Sequence, residues 1–88
     1  MDFGNAIKEL KKGKRVKRAI WEKDVFIALQ PGYPSGIFPN ENTRKTWDLS
    51  EDELFKCMPY FQIKNSNGTH SMYLFTNEDI LANDWSLI

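Results

Sequence analysis

Residues 16–30 read VKRAIWEKDVFIALQ, and this stretch decides the fold. Its later part, Val25–Leu29, is an unbroken apolar run that is rich in strand-forming residues. Such a run predicts a central strand that is buried on both faces, or on one face with the other against an interface. Pro31 and Gly32 follow the run and end the strand. Upstream of it, Arg15–Arg18 predicts a short exposed strand or an extended segment.

Trp21 lies between these two segments, in a charged run with Arg18 before it and Lys23 and Asp24 after it. A tryptophan in this position is either the first large side chain of a small core or a flat surface for a ligand's ring. The composition of the chain alone favours a core position for Trp21. Position favours the ligand, because Trp21 ends a basic segment and the apolar run downstream can fill the core unaided.

A helix over residues 3–12 is predicted by apolar residues at positions 3, 6, 7 and 10, which share one helical face. Asp2 is a suitable N-cap for this helix, and Gly13 is a suitable left-handed residue just past its end.

The middle of the chain predicts a long loop and a short helix. Residues 30–48 contain three prolines and two glycines, followed by the polar run NENTRKT, and this composition is typical of a loop. Ser50 and Glu53 have the spacing of a capping box, which predicts a short helix over Glu51–Met58. Pro59 ends that helix.

The last third of the chain predicts a hairpin and a closing helix. Tyr60–Lys64 alternates in part, the Asn-Gly pair at 67–68 is a strong turn signal, and Thr69–Phe75 returns as the partner strand. Thr76 and Asp79 can cap a last short helix, and residues 85–88 predict an edge strand. The whole predicts an α+β fold, with an N-terminal helix packed on a small antiparallel sheet of about four or five strands and one or two short helices.

Size and composition indicate the class of protein. The 88 residues predict a single domain over 1–88. The only cysteine, Cys57, has no partner for an internal disulfide, which is typical of a reducing cytosol. No segment approaches the roughly 20 apolar residues of a membrane span. The N-terminus also lacks a signal-peptide pattern, so we expect a cytoplasmic protein without a membrane partner.

The aromatic content is high for so short a chain. Three Trp, three Tyr and six Phe are a heavy load for one thin core. We therefore expect some of these rings to face a ligand, another subunit, or both, and we expect a homo-oligomer.

The charge is balanced overall but not along the chain. Residues 1–24 hold eight basic and four acidic residues, a balance of +4, and residues 25–88 hold four basic and eight acidic residues, a balance of −4. Nucleic-acid-binding domains usually keep a net basic excess, so we expect no nucleic-acid partner. The basic end can instead meet a compact anion or the acidic region of a second subunit.

Residues that carry out catalysis are scarce. His70 is the only histidine, and we expect it on a surface strand, while we expect Cys57 in the core. The acidic clusters at 51–53 and 78–79 lie where helix N-termini are predicted. No phosphate-binding loop is present. We therefore expect no enzyme, no catalytic residue, no metal site and no cofactor, and the remaining chemistry is ligand binding by cationic and aromatic side chains.

Two blocks of the sequence resemble a family of small phage and prophage proteins. The opening F-G-x-A-I-x-x-L-K-x-G-K-x-V-x-R-x-x-W spans Phe3–Trp21. The closing block joins Lys64 and the G-T at 68–69 to T-x-x-D-I-L-A-x-D-W at 76–85. Together they resemble the second type of Thoeris anti-defence protein. The family commonly carries Pro-Trp where this chain has Met72 and Tyr73, so any stacking there falls to a smaller ring.

The resemblance implies a function. It implies a phage-encoded "sponge" in the host cytoplasm, which binds a cyclic ADP-ribose-type immune signal, glycocyclic ADP-ribose, and sequesters it without cleavage, so that Thoeris immunity is blocked. Some members of that family also bind cyclic dinucleotides. It also implies a small α+β protomer that forms a homotetramer, with ligand pockets between subunits.

On this reading nine residues contact the ligand. Trp21 and Tyr73 stack on the adenine, Arg18 and Lys23 neutralise phosphate, and Asp24 accepts from ribose hydroxyls. The remaining polar contacts come from Thr69, Ser71, Thr76 and Asn77. The alternative is a protein-binding phage inhibitor or small structural module without a nucleotide ligand, with residues 30–59 as its contact surface. A nucleic-acid-binding protein is the third reading, disfavoured by zero net charge.

Overall fold

Helix α1 (Phe3–Lys11) opens the fold in a computed structural model that describes all of residues 1–88. Asp2 is its N-cap, as predicted, because the Asp2 carboxylate accepts the N–H of Asn5 at 2.8 Å. Past the helix, Gly13 has a φ of 84°, the left-handed conformation that glycine adopts without strain. The remaining elements, in chain order, are β1 (Val16–Arg18), β2 (Phe26–Gln30), β3 (Tyr33–Ile37), α2 (Glu41–Thr46), β4 (Phe55–Cys57), β5 (Tyr60–Lys64), β6 (His70–Met72), α3 (Asn77–Leu81) and β7 (Trp85–Leu87).

Five strands form one antiparallel sheet in the order β6-β5-β2-β1-β7. Strand β2 is central, as predicted, and its Ile27 pairs with Val16 on one side and Ile63 on the other. These three side chains are apolar and β-branched, which suits a pleated surface covered by a helix. Helix α1 lies on the sheet, and this arrangement confirms the predicted α+β fold. The buried core consists of Ala6, Leu10, Val16, Ile27 and Trp85.

Strand β1 differs from the exposed strand or extended segment predicted over Arg15–Arg18. It pairs with β2 on one side and β7 on the other, so it is an interior strand. Val16 and Arg18 are both buried. The prediction was wrong because the basic side chains indicated solvent, whereas Arg18 finds carboxylates inside the fold.

Residues 33–57, which we call the arm, replace the predicted long loop and the predicted helix over Glu51–Met58. Strands β3 and β4 pair with each other as a separate two-stranded sheet, and α2 lies between them in the chain. The Ser50 carbonyl accepts the N–H of Glu53 at 3.2 Å, which makes a turn where the capping-box spacing predicted a helix start. The Phe55 ring then packs on Trp47, at 4.9 Å between centroids, and its strand pairs with Ile37. This tertiary pairing overrides the local helix signal.

The arm leaves the sheet through a narrow neck. Gly32 has a φ of 69°, and a Cβ at this position would lie 2.4 Å from the Cys57 carbonyl oxygen. Only glycine therefore lets the two chain segments of the neck approach so closely. No residue between 31 and 59 is buried, and the molecule is elongated, at 46 × 26 × 22 Å.

The C-terminal part follows the prediction closely. Strand β6 is shorter than the predicted strand over Thr69–Phe75, but it pairs with β5 across the predicted turn. Thr76 and Asp79 form the predicted capping box, in which each side chain accepts the other residue's backbone N–H at 3.1 Å. Strand β7 is an edge strand, as predicted. The helices are all too short to reach across a lipid bilayer.

Candidate functional site

Arg18 is the centre of a charged network inside the protein. Its side chain is on β1 and the residue is only 9% exposed. Its Nε donates to Asp84 at 2.6 Å, and its Nη1 donates to Asp79 at 2.9 Å. The hydrogen bond to Asp84, against the opposing effect of burial, raises the pKa of Arg18, and that to Asp79 adds to it. The guanidinium is therefore a permanent cation that two carboxylates of the same chain neutralise.

Asp79 connects this cation to the rest of the site. It is 3% exposed, and burial alone would raise the pKa of its carboxyl. Hydrogen bonds from the Tyr73 hydroxyl, the Thr76 N–H and Arg18 outweigh burial and hold that pKa below its usual value. The carboxylate thus remains ionised, with donors from β1, from the residue that follows β6 and from the N-cap of α3. Since a charged acceptor makes stronger hydrogen bonds, it fixes all three donors firmly.

Three aromatic rings are arranged around Asp79. The indole N–H of Trp85 donates to the Asp79 carbonyl oxygen at 2.9 Å. Trp21 packs edge-on against Trp85, at 5.4 Å between centroids, and against Tyr73, at 5.7 Å. Burial, followed by the hydrogen bond to Asp79, raises the pKa of Tyr73 well above its ordinary value of 10. The phenol therefore stays protonated and donates to Asp79.

Trp21 and Tyr73 form the walls of an open cleft of about 380 Å³, which we call the aromatic cleft. Clefts that hold small molecules usually have volumes of about 300–1,000 Å³ and a mostly apolar lining with a few polar groups. The volume of this cleft lies in that range, and five of its eight lining residues are hydrophobic. Its lining consists of Ile20, Trp21, Glu22, Val25, Ile63, Asn65, Ser66 and Tyr73.

Trp21 both packs on the core and lines the cleft, so it fits both interpretations made from the sequence. It is half-buried, and its ring packs on the core residue Trp85, so it belongs partly to the core. Its remaining surface lines the aromatic cleft. Two backbone carbonyls of this segment, those of Trp21 and Glu22, accept from the Lys17 ammonium at 3.4 and 2.8 Å, which holds the loop against β1.

The other predicted contact residues lie at various distances from the cleft. Lys23 and Asp24 are exposed in the loop between Glu22 and Val25, which both line it. Lys23 forms no ion pair within the chain, whereas Asp24 lies 4.0 Å from the Lys64 ammonium. Thr69 is in the turn between β5 and β6, where its hydroxyl accepts the amide N–H of the cleft residue Asn65 at 3.1 Å.

The structure does not bring the remaining three together in the cleft. Ser71 lines a different groove, of about 690 Å³, beside the neck of the arm. Thr76 caps α3 with its side chain, and Asn77 is the exposed first residue of that helix. For these three, as for the other six residues, the ligand contact stays a prediction.

The sequence reasoning missed the partners of Arg18. The spacing of Thr76 and Asp79 indicates only a helix cap, and Asp84 stands in the sequence only as part of the closing motif. One signal for a buried Arg18 was present, because Val16 and Arg18 are two residues apart and so share a face of their strand. The apolar cleft residues Ile20 and Val25 carry no such signal, since a pattern cannot distinguish them from core.

The chain is therefore a small α+β domain with an aromatic cleft built over an internal ion-pair network. No group of three or more His, Cys, Asp or Glu side chains is positioned to hold a metal ion.

Residues 1–88, the whole chain, match the family model of the Thoeris anti-defense 2-like domain (Tad2-like), and the protein belongs to this family. The match confirms the resemblance and supports a role in phage anti-defence. The family is not known as an enzyme family. No curated protein matches the chain.

Proposed function

We propose that the protein is a sponge, which binds a cyclic ADP-ribose-type immune signal such as glycocyclic ADP-ribose and sequesters it without cleavage. The observation that supports this most directly is the aromatic cleft, whose two ring walls are fixed through Asp79 and Trp85. Rings that are already held in place lose little freedom when a ligand arrives, and this preorganisation favours tight binding.

The two walls suit a nucleobase. The Trp21 and Tyr73 rings meet at 71°, so a base stacked on one ring meets the edge of the other. Stacking on an aromatic ring contributes about 1–3 kcal/mol per base. Because its hydroxyl already donates to Asp79, Tyr73 presents its ring to the ligand and not a free donor.

The two cationic residues near the cleft differ, because Lys23 is exposed and unpaired whereas Arg18 is buried between two carboxylates. Lys23 is exposed and unpaired beside the cleft, so we assign the phosphate contact to it first. A phosphate at Arg18 has to compete with Asp79 and Asp84, and the role we propose for Arg18 is chiefly to hold Asp79 in place. Asp24 lies on the same loop and accepts from ribose hydroxyls, and Thr69 supports Asn65 at the edge of the cleft.

We further propose a homotetramer in the host cytoplasm, with ligand pockets completed at subunit junctions. The cleft is open on one side in the protomer, and a sponge needs to bury most of its ligand. A signal present below micromolar concentration requires a Kd near nanomolar, about −12 kcal/mol. A second subunit over the cleft supplies the additional buried surface that such an affinity needs.

The direct test is to incubate the purified protein with glycocyclic ADP-ribose, remove free ligand, denature the protein, and identify what is released by mass spectrometry. We expect intact cyclic nucleotide in stoichiometric amount. Release of a linear or hydrolysed product would show turnover and contradict the proposal. Absence of any bound nucleotide, tested also with cyclic ADP-ribose isomers and cyclic dinucleotides, would contradict it as well.

A pair of tryptophan variants tests the cleft itself. Trp21→Ala removes a cleft wall, and we expect the affinity to fall about tenfold or more, since one stacking contact is lost. Trp47→Ala is the matched control, because Trp47 is an exposed tryptophan in the arm and packs on Phe55. Equal affinities for the two variants in titration calorimetry would exclude the aromatic cleft as the binding site.

A second candidate function is a protein-binding inhibitor that uses the arm. Phe38 and Trp47 are large apolar side chains exposed on this element, and exposed aromatics often anchor protein contacts. This reading predicts no thermal shift with any nucleotide and a stoichiometric complex with a component of the host defence. The release experiment above therefore separates the two candidates.

A further inference from the structure

One polar side chain of the aromatic cleft is held in place by the fold. The polar residues of the cleft lining are Glu22, Asn65 and Ser66. Glu22 and Ser66 are exposed, whereas Asn65 is half-buried and its side-chain amide forms a hydrogen bond to Thr69. Asn65 is therefore the polar group of the cleft whose position is fixed before a ligand arrives.

The backbone of Asn65 is held independently of its side chain. The Asn65 N–H donates to the Thr69 carbonyl at 2.8 Å, and the Asn65 carbonyl accepts the N–H of Gly68 at 3.0 Å. These two bonds close the turn between β5 and β6. A substitution at position 65 keeps both of them, so it tests the amide and leaves the turn in place.

Three hydrogen bonds in this turn decide which way the Asn65 amide points. The Asn67 Oδ1 accepts the Thr69 N–H at 3.1 Å, so this atom is an acceptor. It lies 2.6 Å from the Thr69 Oγ1, whose single proton must therefore point at it. The Thr69 hydroxyl is left to accept, and it lies 3.1 Å from the amide of Asn65. That amide must consequently turn its nitrogen, and not its oxygen, toward Thr69.

The amide leaves one donor and one acceptor for a ligand. The Asn65 Nδ2 carries two protons, of which Thr69 takes one, and the Asn65 Oδ1 accepts no bond within the chain. Adenine matches this pair, because its N6 amino donor lies next to a ring acceptor, which is N7 on one edge and N1 on the other. Guanine and hypoxanthine carry an oxygen at position 6, which would face the Asn65 oxygen.

We infer that Asn65, held in this orientation by Thr69, makes the aromatic cleft selective for adenine over bases with an oxygen at position 6. The base stacks on the Trp21 or Tyr73 ring, its N6 amino group donates to the Asn65 Oδ1, and its ring nitrogen accepts from the Asn65 Nδ2. Stacking alone tolerates every base, since each has a π-face, so the discrimination comes from the amide. This inference rests on the proposed function and adds the base that the site selects.

The test compares glycocyclic ADP-ribose with its deaminated form, in which hypoxanthine replaces adenine. Both ligands have the same phosphates and riboses, so the ratio of their dissociation constants isolates the contact with the base. In titration calorimetry we expect the wild type to bind the adenine form about tenfold more tightly, as for a base read by two hydrogen bonds. Asn65→Ala should bind the two forms with nearly equal affinity.

Thr69→Val tests the orientation of the amide separately from its presence. This variant keeps Asn65 and the shape of residue 69 but removes the hydroxyl, so the amide can turn over. A turned amide donates to the oxygen of hypoxanthine and accepts from its N1–H. We therefore expect the preference for adenine to fall about threefold or more, with tighter binding of the hypoxanthine form.

Asn42→Ala is the matched control, because Asn42 is an exposed asparagine in α2 of the arm, and its ratio should equal that of the wild type. Equal binding of both forms by the wild type, or an unchanged ratio in either folded variant of the turn, would overturn this inference and leave the sponge proposal standing. Binding of neither form would overturn both. If circular dichroism shows Asn65→Ala unfolded, the ratio in Thr69→Val decides.

Discussion

The body of the molecule and its arm differ in how they are held together. In the body, which comprises the five-stranded sheet with α1 and α3, every buried residue of the protein is found, including the ion pair of Arg18 with Asp79. In the arm no residue is buried, and its strands pair only with each other. A two-stranded hairpin is marginally stable on its own. The difference predicts that the body, which holds the aromatic cleft, resists local unfolding more than the arm does.

The largest effect in this comparison should come from Asp79→Ala. This substitution leaves Arg18 with one carboxylate fewer in a buried position and removes the acceptor of Tyr73. Removing one partner of a buried ion pair typically costs about 3–5 kcal/mol. We expect a loss of this size in the free energy of unfolding by urea.

Glu78→Gln is the control for this loss, since Glu78 is exposed next to Asp79 and forms no ion pair. Its effect should stay within about 0.5 kcal/mol, as for most surface substitutions. If Asp79→Ala were no more destabilising than Glu78→Gln, the network would not stabilise the body and the contrast with the arm would fail.

The same network predicts how stability depends on pH. Hydrogen bonds from Tyr73, Thr76 and Arg18 outweigh burial and lower the pKa of Asp79, and the Arg18 bond lowers that of Asp84. A lowered carboxyl pKa contributes stability that is fully present above about pH 4 and is lost as the pH falls through the folded-state value. Thermal unfolding should therefore shift to lower temperature below about pH 4.

Tyr73 makes stability depend on pH in the opposite sense, because its contribution is lost as the pH rises. Its pKa is raised by burial and by the bond to Asp79, so its contribution is complete below about pH 10 and is lost as the pH rises further. Tyr73→Phe removes the titrating group, and at neutral pH it should cost about 1 kcal/mol for the lost hydrogen bond. The unfolding temperature of this variant should fall less above about pH 10 than that of the wild type (the alkaline decline). Its fall below about pH 4 (the acid decline) should be unchanged. An unchanged alkaline decline would show that the Tyr73–Asp79 bond does not stabilise the body.

Gly32→Ala tests whether the neck is what positions the arm. A Cβ there meets the Cys57 carbonyl oxygen, and the left-handed backbone adds strain of about 1–3 kcal/mol. We expect faster amide hydrogen exchange in β3 and β4 and unchanged exchange in β1 and β2. Gly68→Ala is the control, because it has a φ of 85° but open space around it. Faster exchange throughout both regions would show that body and arm unfold together.

Most of the body, β1 excepted, was predictable from sequence because its signals are local or periodic. The apolar run at 25–29, the cap at Asp2 and the Thr76–Asp79 box each specify an element without reference to the rest of the chain. The Arg18 network was not predictable, since it joins residues 61 and 66 positions apart. In the arm, the capping-box spacing at Ser50 and Glu53 predicted a helix that does not form. Pairing of Phe55 with Ile37 makes this segment a strand instead. For the site, Trp21 and Tyr73 were found by aromatic chemistry, whereas Asp79 and Asn65 required the fold.

The smallest effect should come from the exposed ion pair of the arm. Lys45 and Glu41 are one helical turn apart in α2, and the Lys45 Nζ lies 2.9 Å from the Glu41 Oε1. Both side chains are largely in water. Water and salt screen such a pair, and ordering two long side chains costs entropy, so pairs of this kind contribute about 0.3–0.5 kcal/mol. Lys45→Ala should therefore change the free energy of unfolding by no more than about 0.5 kcal/mol, and less at high salt. A loss above about 1 kcal/mol would mean that Lys45 makes a further contact, either within the protomer or with a second copy, since a solvated pair cannot supply that much. The same measurement at several protein concentrations would separate these cases, because only a contact between copies makes the loss depend on concentration.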